Sequence, residues 1–287
     1  MARALVTRKS RIIGVIVGDI INPYFAEVTR GVEDVAARHE YLTMVCSADW
    51  RTTAELERLK ALRNYRAAGV VFASSGVVND PDAAVLTAAV EDMRREGSVV
   101  VAVAPRAFAS ISAIVDNEAA AHDITEYLIS LGHRRIAFVG GPAALFASQH
   151  RLEGFVRAMQ SAGLAADLRY AGGLGYDAGR AAALEIVAAG LLPDAVVAAN
   201  AEVAIGVLMT LRQDGVDVPG LVSVVGIDDT RPANFLGLTT VKLPLYELGS
   251  VAARRILAEQ GEASRPDELA LPHRLVLRQT SAPRQRG

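Results

Sequence analysis

The sequence predicts an α/β protein in which two doubly wound parallel sheets form two lobes. Short apolar runs alternate along the chain with segments in which apolar residues recur at helical spacing. Two such series follow one another in 287 residues, a length that suits two domains. Some of the apolar runs end in polar side chains, as strands do where a parallel sheet opens into a ligand crevice.

The first series supplies the elements of an N-terminal lobe. Short strands that are apolar throughout and separated by single helices are typical of βαβ units around a buried parallel sheet. Thr52 and Glu55 have capping-box spacing, which predicts a helix start. The predicted strands are Ile12–Val17, Leu42–Cys46, Val70–Ala73 and Val99–Val103, and the predicted helices are Tyr24–His39, Thr53–Arg66 and Asp82–Glu96.

The second series supplies a C-terminal lobe of the same plan. Glycine follows two of its predicted helices, at Gly132 and Gly163, where a helix C-cap favours it. The predicted helices are Ala119–Leu131, Leu152–Ala162, Ala178–Ala189 and Val203–Asp214, and the predicted strands are Ile136–Val139, Ala195–Ala198 and Val222–Ile227.

Two stretches of weak helical pattern are candidate crossings between the lobes, Val103–Val115 and Leu238–Leu245. A helix over Leu245–Gln260 would return the chain to the first lobe. A last strand, Arg274–Arg278, precedes a basic tail.

Composition narrows the class of protein. The formal net charge of -2 gives no overall attraction to nucleic acid, although the first 18 residues carry four basic side chains and no acid. On charge alone, that N-terminus fits a solvated tail as well as a nucleic-acid contact. One cysteine, Cys46, excludes an intramolecular disulfide. The absence of a signal-peptide pattern or a long apolar run predicts a cytoplasmic protein with no membrane partner.

No motif of catalysis or cofactor binding is found. The glycine-rich stretch Gly172–Gly179 lacks dinucleotide-binding spacing, and Gly179 is interpreted as easing a helix start. The five histidines show no recognised metal-ligand spacing, and no nucleophile is paired with a base. We therefore expect no enzyme activity, no cofactor and no metal.

Seven segments together resemble the effector-binding part of bacterial transcription regulators of the lac repressor and gal repressor type. They lie in the order and spacing of that family along the whole chain. The segments are Ile13–Phe25, Leu131–Ala137, Gly140–Pro142, Arg151–Phe155, Val222–Asp229, Thr239–Val241 and Tyr246–Gly249.

The resemblance implies a type I periplasmic-binding-protein-like fold, with two lobes joined by three crossovers and a small effector between them. It places the N-terminal lobe at 11–113 plus 245–270 and the C-terminal lobe at 114–244 plus 271–287. Residues 1–10 resemble a hinge helix and linker. Leu5 stands where the family's hinge leucine enters the minor groove of operator DNA. The family's helix-turn-helix headpiece is missing before it, and a homodimer is expected.

Three polar residues match the family's effector anchors: Arg151, Asn200 and Asp228. A planar guanidinium with five donors suits paired hydroxyls or a carboxylate, and an amide beside a carboxylate suits a polyol or a heterocycle. Considered without the family context, Arg151 would be interpreted as a solvent-exposed arginine near a helix start, and Asp228 as a cap or turn residue.

Further candidates are aromatic or follow strands of the first lobe. Tyr24 and Phe25 match aromatics that open the first helix, although Phe25 fits the core equally well. Trp50 fits ring stacking, a surface position or a dimer contact. The remaining predicted ligand-binding residues are Asn22, Ser74, Arg106 and Phe146, and Asp19 and Asp49 are weaker candidates.

Three departures from the family's pattern bear on the ligand. Ala147, Ala201 and Leu243 stand where serine, aspartate and glutamine are common. A sugar or sugar-like metabolite remains the first expectation, with a smaller, deoxygenated or partly aromatic ligand as a second option. The function predicted is effector sensing and dimerisation in a DNA-binding repressor. The alternative is the solute-binding protein of a transporter.

Overall fold

The computed structural model describes residues 10–108, 111–112, 114–261 and 271–284. The chain folds into two compact units. Unit 1 is Met1–Val115 with Pro244–Leu271, and unit 2 is Asp116–Leu243 with Pro272–Gly287. The chain therefore passes from one unit to the other three times. The predicted hinge leucine, Leu5, lies outside the described residues.

Strands and helices alternate through both units. The elements before residue 116 are β1 (Ser10–Val17), α1 (Pro23–Arg38), β2 (Leu42–Ser47), α2 (Thr52–Asn64), β3 (Ala67–Phe72), α3 (Ala83–Arg95), β4 (Val99–Ala102) and β5 (Ile111–Ser112). Those that follow are α4 (Asn117–Ser130), β6 (Ile136–Val139), α5 (Phe146–Ser161), β7 (Arg169–Tyr170), α6 (Tyr176–Ala188), β8 (Ala195–Ala198), α7 (Ala201–Gln213), β9 (Ser223–Asp228), α8 (Arg231–Phe235), β10 (Thr239–Lys242), α9 (Leu245–Glu259) and β11 (Arg274–Val276).

Each unit contains one sheet with a reversal of strand order. In unit 1 the order is β2-β1-β3-β4-β5, and all pairs are parallel. In unit 2 the order is β11-β10-β9-β8-β6-β7, with β11 antiparallel to β10. The direction of winding reverses between β1 and β3 and again between β6 and β8. In doubly wound sheets, ligands bind beyond the carboxyl ends of the strands at such a switch point.

The predicted α/β class with two parallel sheets is confirmed, and the differences concern short elements. The two-residue strands β5 and β7, the short helix α8 and the strand β10 are not predicted. Helix α5 begins at Phe146 rather than Leu152. Among the described helices, none has the length and hydropathy that a membrane span requires.

The capping box predicted from Thr52 and Glu55 is wrong. The cap residue of α2 is Arg51, and no side chain bonds to the helix N-terminus there. The Thr52 hydroxyl bonds to Asp80 instead. The Glu55 carboxylate is buried and pairs with Arg106, a residue 51 positions away, so a tertiary contact replaces the local one.

Glycines let three helix pairs approach closely. A Cβ on Gly249 of α9 would lie 1.9 Å from the carbonyl oxygen of Val28 in α1, and one on Gly154 of α5 would lie 2.1 Å from that of Glu118 in α4. A Cβ on Gly179 of α6 would lie 2.0 Å from the carbonyl oxygen of Val203 in α7. Gly179 therefore serves helix packing, and its interpretation as an aid to a helix start is wrong.

We expect Gly249→Ala to lower the free energy of unfolding by about 1–3 kcal/mol, the usual cost of overpacking a rigid contact. The methyl group would meet backbone, which can yield only if α1 and α9 separate. Urea unfolding followed by circular dichroism measures the change. Gly173→Ala is the matched control, because the nearest atom to its new methyl would be 3.6 Å away. Equal stability of both variants would contradict the close contact.

Candidate functional site

Polar side chains gather where the sheet of unit 2 ends. Asp228 is the last residue of β9, and Asn200 follows β8 and caps α7. Gly140 directly follows β6, which pairs with β8 at the switch point of this sheet. Both strand-end residues predicted from the sequence therefore lie at the edge of the sheet where doubly wound folds hold ligands.

Arg151 joins this edge from helix α5. Its Nε donates a hydrogen bond to Oδ1 of Asn117 at 2.8 Å, and its Nη2 donates to Oδ1 of Asp228 at 3.1 Å. Its Nη1 donates to the backbone carbonyl of Ala199. The side chain is 9% exposed, so the interpretation of Arg151 as a solvent-exposed arginine is wrong. The guanidinium group is therefore held in one orientation by the ends of β8 and β9 and by the first residue of α4.

Asp228 is electrostatically and conformationally unusual. Burial raises the pKa of its carboxyl to about 6, although the Arg151 guanidinium and the Ala201 N–H act in the opposite direction. Its φ of 103° lies in a region that side chains rarely adopt, and Asp229 follows at φ 57°. Backbone strain of this kind costs about 1–3 kcal/mol and clusters at functional sites. Asp229 pairs with Arg278, which holds the turn.

Asn200 has a structural role that was not predicted from the sequence. Its Oδ1 accepts from the Val203 N–H at 2.8 Å, which makes it the N-cap of α7. Its Nδ2 donates to the carbonyl of Leu174 at 2.8 Å. The amide is therefore fixed and buried beside Asp228, and the loop that carries Leu174 is tied to this edge.

Glu202 belongs to the same edge and was missed in the sequence. Burial raises the pKa of its carboxyl, and its charge also acts to raise the pKa of Asp228. Its buried Oε1 has no hydrogen-bond partner among the described residues. The signal available in the sequence was the position of Glu202, an acidic residue in the first turn of a helix that follows a strand. This oxygen is an acceptor that a ligand hydroxyl or amine could satisfy.

Two of the three departures from the family's pattern are buried, and the third, Ala147, is half-buried. Ala201 and Leu243 have 0% and 1% exposure, and Ala201 belongs to the hydrophobic core of unit 2 with Val203 and Ala204. Phe146, at the start of α5, is half-buried and lies near His150, with ring centroids 6.5 Å apart. Phe146 lies one and a half turns before Arg151 on the same helix, and it is the aromatic residue among the ligand-binding candidates of unit 2.

In unit 1, aromatic rings gather beyond β1 and β2. Trp50 lies against the backbone of Gly18, where a Cβ would come within 2.5 Å of the indole. The Phe25 ring is 6.2 Å from the Trp50 ring and 5.0 Å from that of Tyr24. Trp50 and its neighbour Asp49 both have positive φ angles, 53° and 52°. Phe25 is 5% exposed and lies on the buried face of α1, so it packs in the core.

The other predicted residues of unit 1 make internal contacts. Asn22 caps α1 by accepting from the Tyr24 N–H at 2.9 Å. Arg106 forms two hydrogen bonds of 2.7 Å to the Glu55 carboxylate, and its Nη2 also donates to the Ser74 carbonyl. The Ser74 hydroxyl donates to Glu55 at 3.0 Å. The Arg106 and Glu55 side chains are each 3% exposed.

Three comparisons with known proteins identify the family of the chain. Residues 125–281 match the family model of periplasmic binding protein-like domains. The catabolite control protein A of Priestia megaterium is 29% identical over 295 residues, covering 98% of this chain and 85% of that protein. The HTH-type transcriptional repressor CytR of Escherichia coli strain K12 is 30% identical over 268 residues, covering 91% and 76%.

A solved LacI family transcriptional regulator from Enterococcus faecium, with bound ribose, has a TM-score of 0.82 at 26% identity. The match covers 96% of this chain and all of that one. The chain belongs to the LacI family of transcriptional regulators. The resemblance inferred from the sequence and the predicted regulator function are thereby confirmed. Because these LacI-family relatives are regulators, the transporter alternative is not supported.

The structure groups the predicted LacI-family site residues within each unit. In unit 2 it brings Arg151, Asp228 and Asn200 together, as expected from their strand-end positions. In unit 1, Trp50 lies with the rings of Phe25 and Tyr24. Arg106 and Ser74 lie in a hydrogen-bonded network with Glu55. Contact between any of these predicted site residues and an effector stays a prediction.

Proposed function

We propose that unit 2 binds a small polar effector through Arg151, Asp228 and Asn200, and that this binding regulates the affinity of a LacI-family protein for operator DNA. The observation that carries the proposal is the buried guanidinium of Arg151, hydrogen-bonded at the carboxyl ends of β8 and β9. A buried charge pair at the carboxyl ends of parallel strands, one strand from the switch point and beside a strained backbone, is typical of a binding site.

The groups at this edge favour a carbohydrate-like ligand. Arg151 donates, the carboxyl groups of Asp228 and Glu202 accept, and the ring of Phe146 offers an apolar face. The relative from Enterococcus faecium holds ribose, which supports a sugar as effector for this chain. The buried Ala201 and Leu243 favour a ligand with fewer hydroxyls than a hexose.

Effector binding would act on DNA by stabilising one state of the regulator over the other. Such coupling requires a different affinity of the effector for the two states. We propose that the chain acts as a homodimer, since regulators that read two half-sites are two-fold symmetric, and that Leu5 enters the minor groove. We further propose a cytoplasmic protein without enzyme activity, as its regulator relatives indicate.

The test is a thermal-shift screen of the chain against pentoses, hexoses, polyols, nucleosides and small aromatic acids, with calorimetric titration of each hit. At a hundredfold excess over its dissociation constant, a ligand stabilises the fold by about 2.7 kcal/mol. We expect Phe146→Ala and Arg151→Lys to weaken binding at least tenfold, since one removes a ring and the other the planar fork.

Arg180→Ala is the matched control, because Arg180 is an exposed arginine of the same unit on α6. It should bind the ligand as the unaltered chain does. Circular dichroism of each variant establishes that it is folded. A hit whose affinity is unchanged by both Phe146→Ala and Arg151→Lys would place the effector elsewhere.

A further inference from the structure

Helix α4 of unit 2 carries a cluster of metal-ligating side chains other than the residues that bond to Arg151 and Asp228. One donor atom from each of His122, Asp123 and Glu126 lies within 4.8 Å of the other two. His122 and Glu126 are four residues apart, and Asp123 and Glu126 are three apart. One helical turn therefore brings all three to the same face.

A fourth side chain reaches this cluster from a distant part of the sequence. Nε2 of His273, which precedes β11, lies 3.0 Å from Oδ2 of Asp123. The other oxygen of that carboxylate, Oδ1, lies 3.3 Å from Nδ1 of His122. The Asp123 carboxylate is therefore held between two imidazoles, one from its own helix and one from the segment before β11.

We propose that His122, Asp123 and Glu126 form a binding site for a divalent transition-metal ion such as Zn²⁺, with His273 orienting the Asp123 carboxylate. One imidazole and two carboxylates are donors that Zn²⁺ accepts, and the carboxylates balance its charge. Carboxylates that bind a metal are themselves hydrogen-bonded by outer groups, and His273 supplies such a bond to Asp123.

One donor–donor distance already agrees with coordination of one ion. Two ligands of a tetrahedral zinc, each about 2.1 Å from the metal, lie about 3.4 Å apart. The separation of the His122 and Asp123 donor atoms, 3.3 Å, matches this value. Glu126 is exposed, so its side chain can rotate to complete the set without a change of backbone. The remaining position would be filled by water.

A plain ion-pair cluster is the competing interpretation, in which the two histidines only hold the Asp123 carboxylate and no metal binds. The two interpretations differ in the role of Glu126. It forms no ion pair with either histidine among the contacts of the described residues, so an ion-pair cluster would be indifferent to its loss. A metal site loses a ligand when Glu126 is changed.

The experiment is calorimetric titration of the tag-free, chelator-treated chain with Zn²⁺, supported by Co²⁺ absorption. We expect one equivalent to bind and Co²⁺ to show the visible bands of a coordinated ion. Glu126→Gln and His122→Ala should each weaken binding at least tenfold. His273→Gln should weaken it by about 10–100-fold, the usual effect of removing an outer partner.

Two matched variants control for adventitious binding by surface groups. Glu153→Gln changes an exposed glutamate on the neighbouring helix α5, and His39→Ala changes a histidine of unit 1. Both should bind Zn²⁺ unchanged. The absence of a single equivalent, or binding that Glu126→Gln and His122→Ala leave unaltered in folded protein, would overturn the proposal. The effector plays no part in this test, so its outcome is separate from that of the regulator function.

Discussion

Replacement of Arg151 by methionine is expected to lower the free energy of unfolding by about 3–5 kcal/mol at pH 8. Methionine keeps the apolar stem but leaves the Asp228 carboxylate buried without its partner. Breaking one side of a buried ion pair has a cost of this size, because the remaining charge has lost its water as well. Urea unfolding followed by far-ultraviolet circular dichroism measures the loss.

The loss should shrink at pH 5. The folded-state pKa of Asp228, about 6, lies above its ordinary value of 3.8, so the folded protein binds this proton more tightly than the unfolded chain. The contribution of Asp228 protonation to the free energy of unfolding therefore increases as the pH falls through 6. Removal of Arg151 takes away an interaction that lowers this pKa, so the variant carries a neutral Asp228 at pH 5. No unpaired carboxylate then remains buried.

The double variant Arg151→Met with Asp228→Asn is the control for this interpretation. With both charges removed, most of the loss at pH 8 should be recovered, since neutral groups of similar shape replace a buried pair at little cost. The unaltered chain is measured at both pH values, so that the effect of pH on its free energy of unfolding can be subtracted. A loss of the same size at pH 5 and pH 8 would mean that packing, rather than the Asp228 charge, governs the effect.

The fold class could be predicted because both sheets are buried on two faces. Strands such as β3 and β8 are apolar at every position, and the helices between them carry apolar stripes. The strands β5 and β7 have two residues each, too few for any pattern to appear. Strand β10 contains two buried threonines whose burial depends on the strands beside it.

The site could be predicted only as far as chain position determines it. Asp228 ends an apolar run, and this places its side chain at the sheet's edge whatever its partners are. That Arg151 donates to the Ala199 carbonyl depends on three-dimensional packing. The cap that Asn200 provides for α7 is local, and an asparagine just before a helical pattern was the available signal. The His122 cluster was missed for a different reason. Its residues match none of the recognised metal-ligand motifs, and the signal that they carry is a histidine and a glutamate four residues apart on one helix.

The buried pair of Arg106 and Glu55 was also beyond the sequence, because the two residues are 51 positions apart. We expect Arg106→Met to lower the free energy of unfolding of the chain by about 3–5 kcal/mol. The guanidinium makes two hydrogen bonds to a carboxylate that is 3% exposed, and its carbon lies 4.7 Å from the centre of the Phe72 ring. Its removal leaves the buried Glu55 carboxyl without its guanidinium partner.

Arg63→Ala is the matched control on the same helix as Glu55. Arg63 forms an exposed ion pair with Glu96, and exposed pairs contribute little because water and salt screen them. Its urea midpoint should stay close to that of the unaltered chain. If Arg63→Ala and Arg106→Met shift the midpoint equally, burial does not set the strength of the Arg106 pair.

The double variant Arg106→Met with Glu55→Leu separates a structural role of Arg106 from a ligand contact. Apolar residues of similar volume often replace a buried pair without loss of stability, so this variant should fold and recover most of the deficit. An Arg106 that only supports the fold would leave the affinity of the double variant for the effector unchanged. A folded double variant that binds the effector at least tenfold more weakly would show that the predicted contact of Arg106 with the ligand exists.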